Sequence, residues 1–161
     1  MKKSVIRICT LILALATSQT ILHAQRPHFP EGNRIEGAWQ VNVAVVNCQT
    51  GAPIRNVQSL QLFSRDHSFS ETANTASRGS SIGTWLHDER DRTYNTTFWF
   101  YRYNPDGTVK SMAEGLDIAT VSSDGNSFTS SGTITDFDAT GNVISVGCVT
   151  HAATRLDGPA R

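Results

Sequence analysis

Between Gly37 and Leu156 the chain never sustains a helical period. Short stretches in which apolar or β-branched residues alternate with polar ones are separated by turn residues. Asp or Asn near Gly marks the reversals at Asn104-Pro105-Asp106-Gly107, Asp124-Gly125-Asn126 and Asp138-Ala139-Thr140-Gly141-Asn142. Such turns between segments of period two are hairpin signals. The spacing predicts strands over 37–48, 57–65, 67–74, 82–87, 93–103, 108–122, 127–138 and 142–155, with loops over 49–56 and 75–81. This is an all-β chain. Eight strands joined mostly by tight turns form, most simply, an antiparallel up-and-down meander. Eight also suffices to close a barrel around side chains or one small ligand.

The start of the chain reads differently. Lys2, Lys3 and Arg7 flank the entry to an apolar run from Ile8 to Ala16, and Leu22-His23-Ala24 places a small residue before Gln25. Residues 1–24 are therefore expected to be a secretory signal peptide, with a cut after Ala16 as the second choice. The run is shorter than the about 20 apolar residues that a membrane span needs. Cys9 begins the run rather than ending it, so it does not resemble a lipid-attachment site. Residues 25–36 carry two prolines, two arginines and a glycine without periodicity and are expected to be a flexible lead-in. The barrel domain is expected over 37–156, with a short tail over 157–161.

The whole chain has 14 basic and 14 acidic residues. Removing residues 1–24 leaves 11 basic against 14 acidic residues, and every basic one but Lys110 is arginine. No basic stripe remains for phosphate, which argues against a nucleic-acid partner. No later segment is apolar enough to span a membrane, so the expected location is secreted or periplasmic.

Two cysteines lie beyond the leader, Cys48 and Cys148. An isolated pair in an oxidising compartment favours a disulfide over two free buried thiols. A bridge would require the Cα atoms to lie within about 7 Å, and an open meander holds its first and last strands far apart. Closure removes the conflict. If the first and last strands are antiparallel neighbours, Trp39 opposite Arg155 and Cys48 opposite Cys148 call for nearly the same register. A two-sheet sandwich is the alternative fold that also brings the ends together. The same register puts Trp39, Val41, Val43 and Val45 on the inner face, opposite Arg155, Ala153, His151 and Val149.

Gly37-Ala38-Trp39 at the head of the first strand and Arg155 at the end of the last resemble the pattern of the lipocalins and the wider calycin superfamily. There a Gly-x-Trp tryptophan plugs the barrel floor and an arginine covers it. The resemblance implies a barrel-floor role for Gly37, Trp39 and Arg155. Almost nothing follows Arg155, so the likeness is to smaller members: avidin-like barrels, bacterial lipocalin-like domains and barrels of the allene oxide cyclase type.

On these grounds the expected function is an exported barrel that binds a small, largely apolar ligand. Val43, Val45, Leu62, Phe98, Phe100, Leu116 and Ile118 are expected to line it, with Glu114 or His151 orienting the ligand's polar end. Leu60 and Trp85 are expected in the core. A second expectation is an isomerase or cyclase of the allene oxide cyclase type with Glu114 and His151 as acid and base. A third is a structural or adhesive surface protein without a pocket, working through the outer Trp99, Tyr101 and Tyr103. No catalytic elbow, metal-ligand spacing or phosphate loop occurs, so neither a metal nor a cofactor is expected.

Overall fold

The structure, a computed structural model, describes residues 35–156. The expected leader and the tail over 157–161 lie outside these residues, as does most of the lead-in. Eight strands follow in order: β1 (Gly37–Val46), β2 (Pro53–Phe63), β3 (Ser68–Ala73), β4 (Ser81–Asp88), β5 (Thr93–Tyr103), β6 (Val109–Val121), β7 (Ser127–Phe137) and β8 (Val143–Arg155). Each pairs antiparallel with the next, and β1 also pairs with β8, closing the barrel. No helix among the described residues is long and apolar enough to cross a membrane.

The seam carries the register that the sequence calls for. Trp39 stands opposite Arg155, and the ladder runs without interruption to Val46 opposite Cys148. Cys48 lies just past that last pair and is disulfide-bonded to Cys148, with Cα atoms 5.2 Å apart. Closure by β1 and β8 replaces the sandwich alternative. The lead-in is not loose up to residue 36: Ile35 is fully buried, and its carbonyl accepts the indole N–H of Trp39 at 2.8 Å.

The turns owe their shape to short aspartates. Asp66, Asp106, Asp124 and Asp138 each accept the backbone N–H of the residue two positions on, at 2.8 to 3.1 Å. Ser68, Thr108 and Thr140 add a hydroxyl to the same carboxylate. These bonds favour the charged form, so all four carboxyls sit below the ordinary aspartate value.

All strand ends but one fall within two residues of expectation. β2 begins at Pro53, four residues before the expected start, across a bulge between Val45 and Val46. The first position of a strand is where a missing N–H is tolerated best.

The larger correction concerns faces. On β1, β5 and β8 the inward residues are those expected, including Val43, Phe98, Phe100 and His151. On β2 and β6 the apolar alternation points outward. Leu60, Leu62, Leu116 and Ile118 are all exposed, and Glu114 shares their outward face. The inward positions are Ser59, Gln61 and Phe63 on β2, and Ser111, Ala113, Gly115, Asp117 and Ala119 on β6. The cause is volume. β5 sends Tyr94, Phe98 and Phe100 into a narrow barrel, and the Phe98 ring lies over its cross-strand partner Gly115. A Cβ at Gly115 would stand 2.2 Å from that ring. With β5 contributing the bulk, β6 must contribute small residues, so its leucine and isoleucine face water.

Candidate functional site

The barrel has two distinct ends. At the floor, Trp39 is fully buried and packs edge-on against Phe128 at 4.9 Å between centroids. The Arg155 guanidinium lies 4.1 Å from the Trp39 ring centroid. Its Nε and Nη1 donate to the carbonyls of Gly125 and Glu36, both at 2.6 Å. Gly37 has φ of 121°, and Arg155 Nη1 occupies the space a Cβ would need. Phe63, Phe69 and Trp85 fill the layer above. This end is sealed.

The middle of the barrel is unexpectedly polar. Ser130 Oγ lies 2.6 Å from His151 Nδ1, and Asp117 Oδ2 lies 3.3 Å from the same nitrogen. A serine–histidine–carboxylate relay needs the serine and the acid on opposite ring nitrogens. Sharing one nitrogen, these three form a buried polar cluster and not an activated nucleophile. Asp117 Oδ1 and the hydroxyl of Thr96, its cross-strand neighbour, are buried without a hydrogen-bond partner. The expected Glu114–His151 acid–base pair is not assembled, because Glu114 faces outward while His151 faces in. The described residues hold no cluster of three His, Cys, Asp or Glu suited to a metal ion.

Above this cluster the mouth is built from arginines. Arg55 on β2 and Arg102 on β5 continue the inward faces of Val57 and Phe100. Arg78, in the loop before β4, reaches the same place because residues 77–79 run alongside the end of β5. Gly79 N–H donates to Tyr101 O, Tyr103 N–H donates to Ser77 O, and Arg78 bridges Arg102. The Arg78 guanidinium carbon stands 3.7 Å from the Phe100 ring centroid, and that of Arg102 stands 5.1 Å from it.

Arg78 Nη2 contacts Glu71 Oε2 at 2.5 Å and also bonds Ser81 Oγ, while Ser81 donates to the same carboxylate oxygen at 3.0 Å. Burial opposes ionisation of Glu71. The Arg78 charge and the Gln61 amide at 3.3 Å outweigh it and hold the carboxyl below its usual value. Ser59 also lies near the carboxylate, without completing a bond of good geometry. For Arg78, burial comes first and repulsion from Arg102 and Arg55 adds to it. Together they lower its value despite Glu71. Arg102 pairs with Asp136, which also accepts a bond from Ser145 at 3.1 Å.

Two spaces meet here. An inner cavity of about 40 Å³ is walled by Val43, Val45, Val57, Phe98, Ile134 and Val149, with Glu71, Arg78 and His151 at its polar side. That is room for about one water, whereas drug-sized ligands occupy at least about 300 Å³. An open groove of about 380 Å³ lies across the rim, lined by Arg55, Arg102, Tyr103, Lys110, Asp136 and Ser145 among others. Of the expected lining residues, Val43, Val45, Phe98, Phe100 and His151 meet at the inner cavity. Leu62, Leu116 and Ile118 do not, because they stand on the outer surface.

The sequence reading missed Arg55, Arg78 and Arg102. Parity from Phe98 and Phe100 alone would have carried Arg102 to the inner face. Arg55 was hidden by the late start given to β2, and Arg78 by its place in a loop. No protein-family model, curated protein or solved structure matches the chain.

Proposed function

We propose that this chain is an exported binding barrel that takes a small anionic molecule at its arginine-lined mouth. One observation carries the reading: Arg55, Arg78 and Arg102 converge with Lys110 at one barrel end, where the carboxylates among the described lining residues are Glu71 and Asp136. Arg102 and Arg55 repel the buried Arg78 guanidinium, an added anion relieves that repulsion, and guanidinium forks suit carboxylate or phosphate oxygens. The ligand's polar group sits in the rim groove. The apolar portion lies along the groove, with room for no more than about one methylene toward Val45, Val57, Ile134 and Val149, where Arg78 guards the inner space. The inner space is small, so the largely apolar ligand expected from the sequence is reduced here to one whose polar group does most of the binding. The disulfide fits an oxidising compartment, and the calycin-like seam of Gly37, Trp39 and Arg155 agrees with a binding barrel.

The test is calorimetric titration at low salt with octanoate, inorganic phosphate and uncharged octanol as probes. Octanoate or phosphate is expected to bind, octanol to bind at least about tenfold more weakly, and Arg55→Ala to weaken anion binding by about tenfold or more. Equal binding of octanol and octanoate, or no binding of either anion at millimolar concentration, would overturn the reading.

A further inference from the structure

The outer wall formed by β4, β5 and β6 carries an apolar patch that neither the mouth nor the core uses. Ile82 stands across from Trp99, Tyr101 stands across from Met112, and Leu116 and Ile118 follow on β6. All six face outward, with exposures between 37% and 71%. Within the patch the one charge is Glu114, half-buried beside Trp99, and no lysine or arginine interrupts it. Threonines border it, Thr84 and Thr97 on β4 and β5 themselves and Thr133 and Thr135 on the neighbouring β7.

We infer that this wall is the interface between two copies of the chain. From their fractional exposures the six residues present on the order of 600 Å², at the top of the roughly 300–600 Å² of a typical monomer's largest patch, and with the polar rim around them that approaches the about 800 Å² per partner that stable complexes bury. Its composition is that of an interface core, with Trp, Tyr and Met at the centre, charge nearly absent and a polar rim. A sheet face meets an identical face in an isologous two-fold contact, the commonest oligomer geometry. The patch lies on the side of the barrel, so pairing leaves both arginine mouths open. A lipid surface fits less well, because the patch offers Glu114 and no cation to phospholipid headgroups.

The experiment is sedimentation velocity on the exported protein from about 1 to 50 µM, a range that brackets a micromolar dissociation constant. Dimer is expected at the upper end. Ile82→Lys and Leu116→Glu, both at exposed positions, are expected to raise the dissociation constant at least about tenfold with far-ultraviolet circular dichroism and thermal midpoint unchanged. The wild type supplies a second readout that needs no variant. Trp39 and Trp85 are buried within each barrel, so dilution should expose Trp99 alone to acrylamide quenching. A monomer at every concentration would overturn the inference. So would a dimer unaffected by both substitutions, or a monomer that binds phosphatidylcholine vesicles instead of itself.

Discussion

The guanidinium of Arg155 lies over the indole of Trp39 at 4.1 Å from the ring centroid, and two of its nitrogens donate to the carbonyls of Glu36 and Gly125. The first and last strands are thus locked at the floor by one side chain that stacks and bonds together. Lysine keeps the charge but offers neither the planar stack nor the two-pronged geometry. Arg155→Lys is therefore expected to lower stability by about 1–3 kcal/mol, from the lost stacking and the unpaired carbonyls. Urea denaturation monitored by tryptophan fluorescence measures this directly. An unchanged midpoint would mean that the stack contributes nothing beyond its charge.

Gly115 makes room for Phe98. An added Cβ would meet the ring at 2.2 Å, and both flanking strands hold the backbone in place. Gly115→Ala is expected to destabilise by about 1–3 kcal/mol through overpacking. Combining it with Phe98→Leu should recover part of that loss, because the two positions contend for one volume. A double-mutant cycle on urea midpoints tests the coupling, and strict additivity of the two losses would contradict it.

The Cys48–Cys148 bridge spans 100 positions and closes the mouth end of the same seam. The chain-entropy account assigns a loop of that size about 4.7 kcal/mol. Reduction, or Cys48→Ser with Cys148→Ser, should lower the thermal midpoint markedly while leaving far-ultraviolet circular dichroism native at low temperature, since the β1–β8 ladder itself persists. Intact mass with and without reductant verifies the bridge. Equal midpoints for the oxidised and reduced protein would show that the ladder alone fixes the ends.

The turn chemistry and the pairing of the ends were legible from sequence because both are local or arithmetic. Asp106, Asp124 and Asp138 announce hairpins by their own side-chain bonding, and the two cysteines admit few topologies. Which face of β6 turns inward was not legible. Leu116 and Ile118 look like core residues until the volume of Phe98 and Phe100, contributed by a neighbouring strand, is counted. Alternation fixes which residues share a face, but the combined size of all eight inner faces decides which face is inner. The arginine mouth was illegible for a related reason. Arg78 belongs to no strand, and only the backbone pairing of residues 77–79 with the end of β5 carries its side chain inward.

Glu71 makes the mouth sensitive to acid. Its carboxyl is buried, yet Arg78 and Gln61 hold its folded-state value below the ordinary 4.5. A depressed folded value means that the unfolded chain takes up the proton first. The stabilisation is therefore fully present above the unfolded value and is lost as pH falls from there through the folded value. Wild-type urea midpoints should be flat near neutral pH and decline below about pH 4.5, with the exposed turn aspartates contributing in the same direction at lower pH. Glu71→Gln keeps the shape but leaves the Arg78 charge buried without its partner, at a cost of about 3–5 kcal/mol near pH 7. Because the variant has already lost the pair, it should decline less steeply with acid, so the two stability curves converge as pH falls. Glu71→Gln tracking the wild type in parallel down to pH 3 would remove Glu71 from the acid response and assign it to the turn aspartates alone.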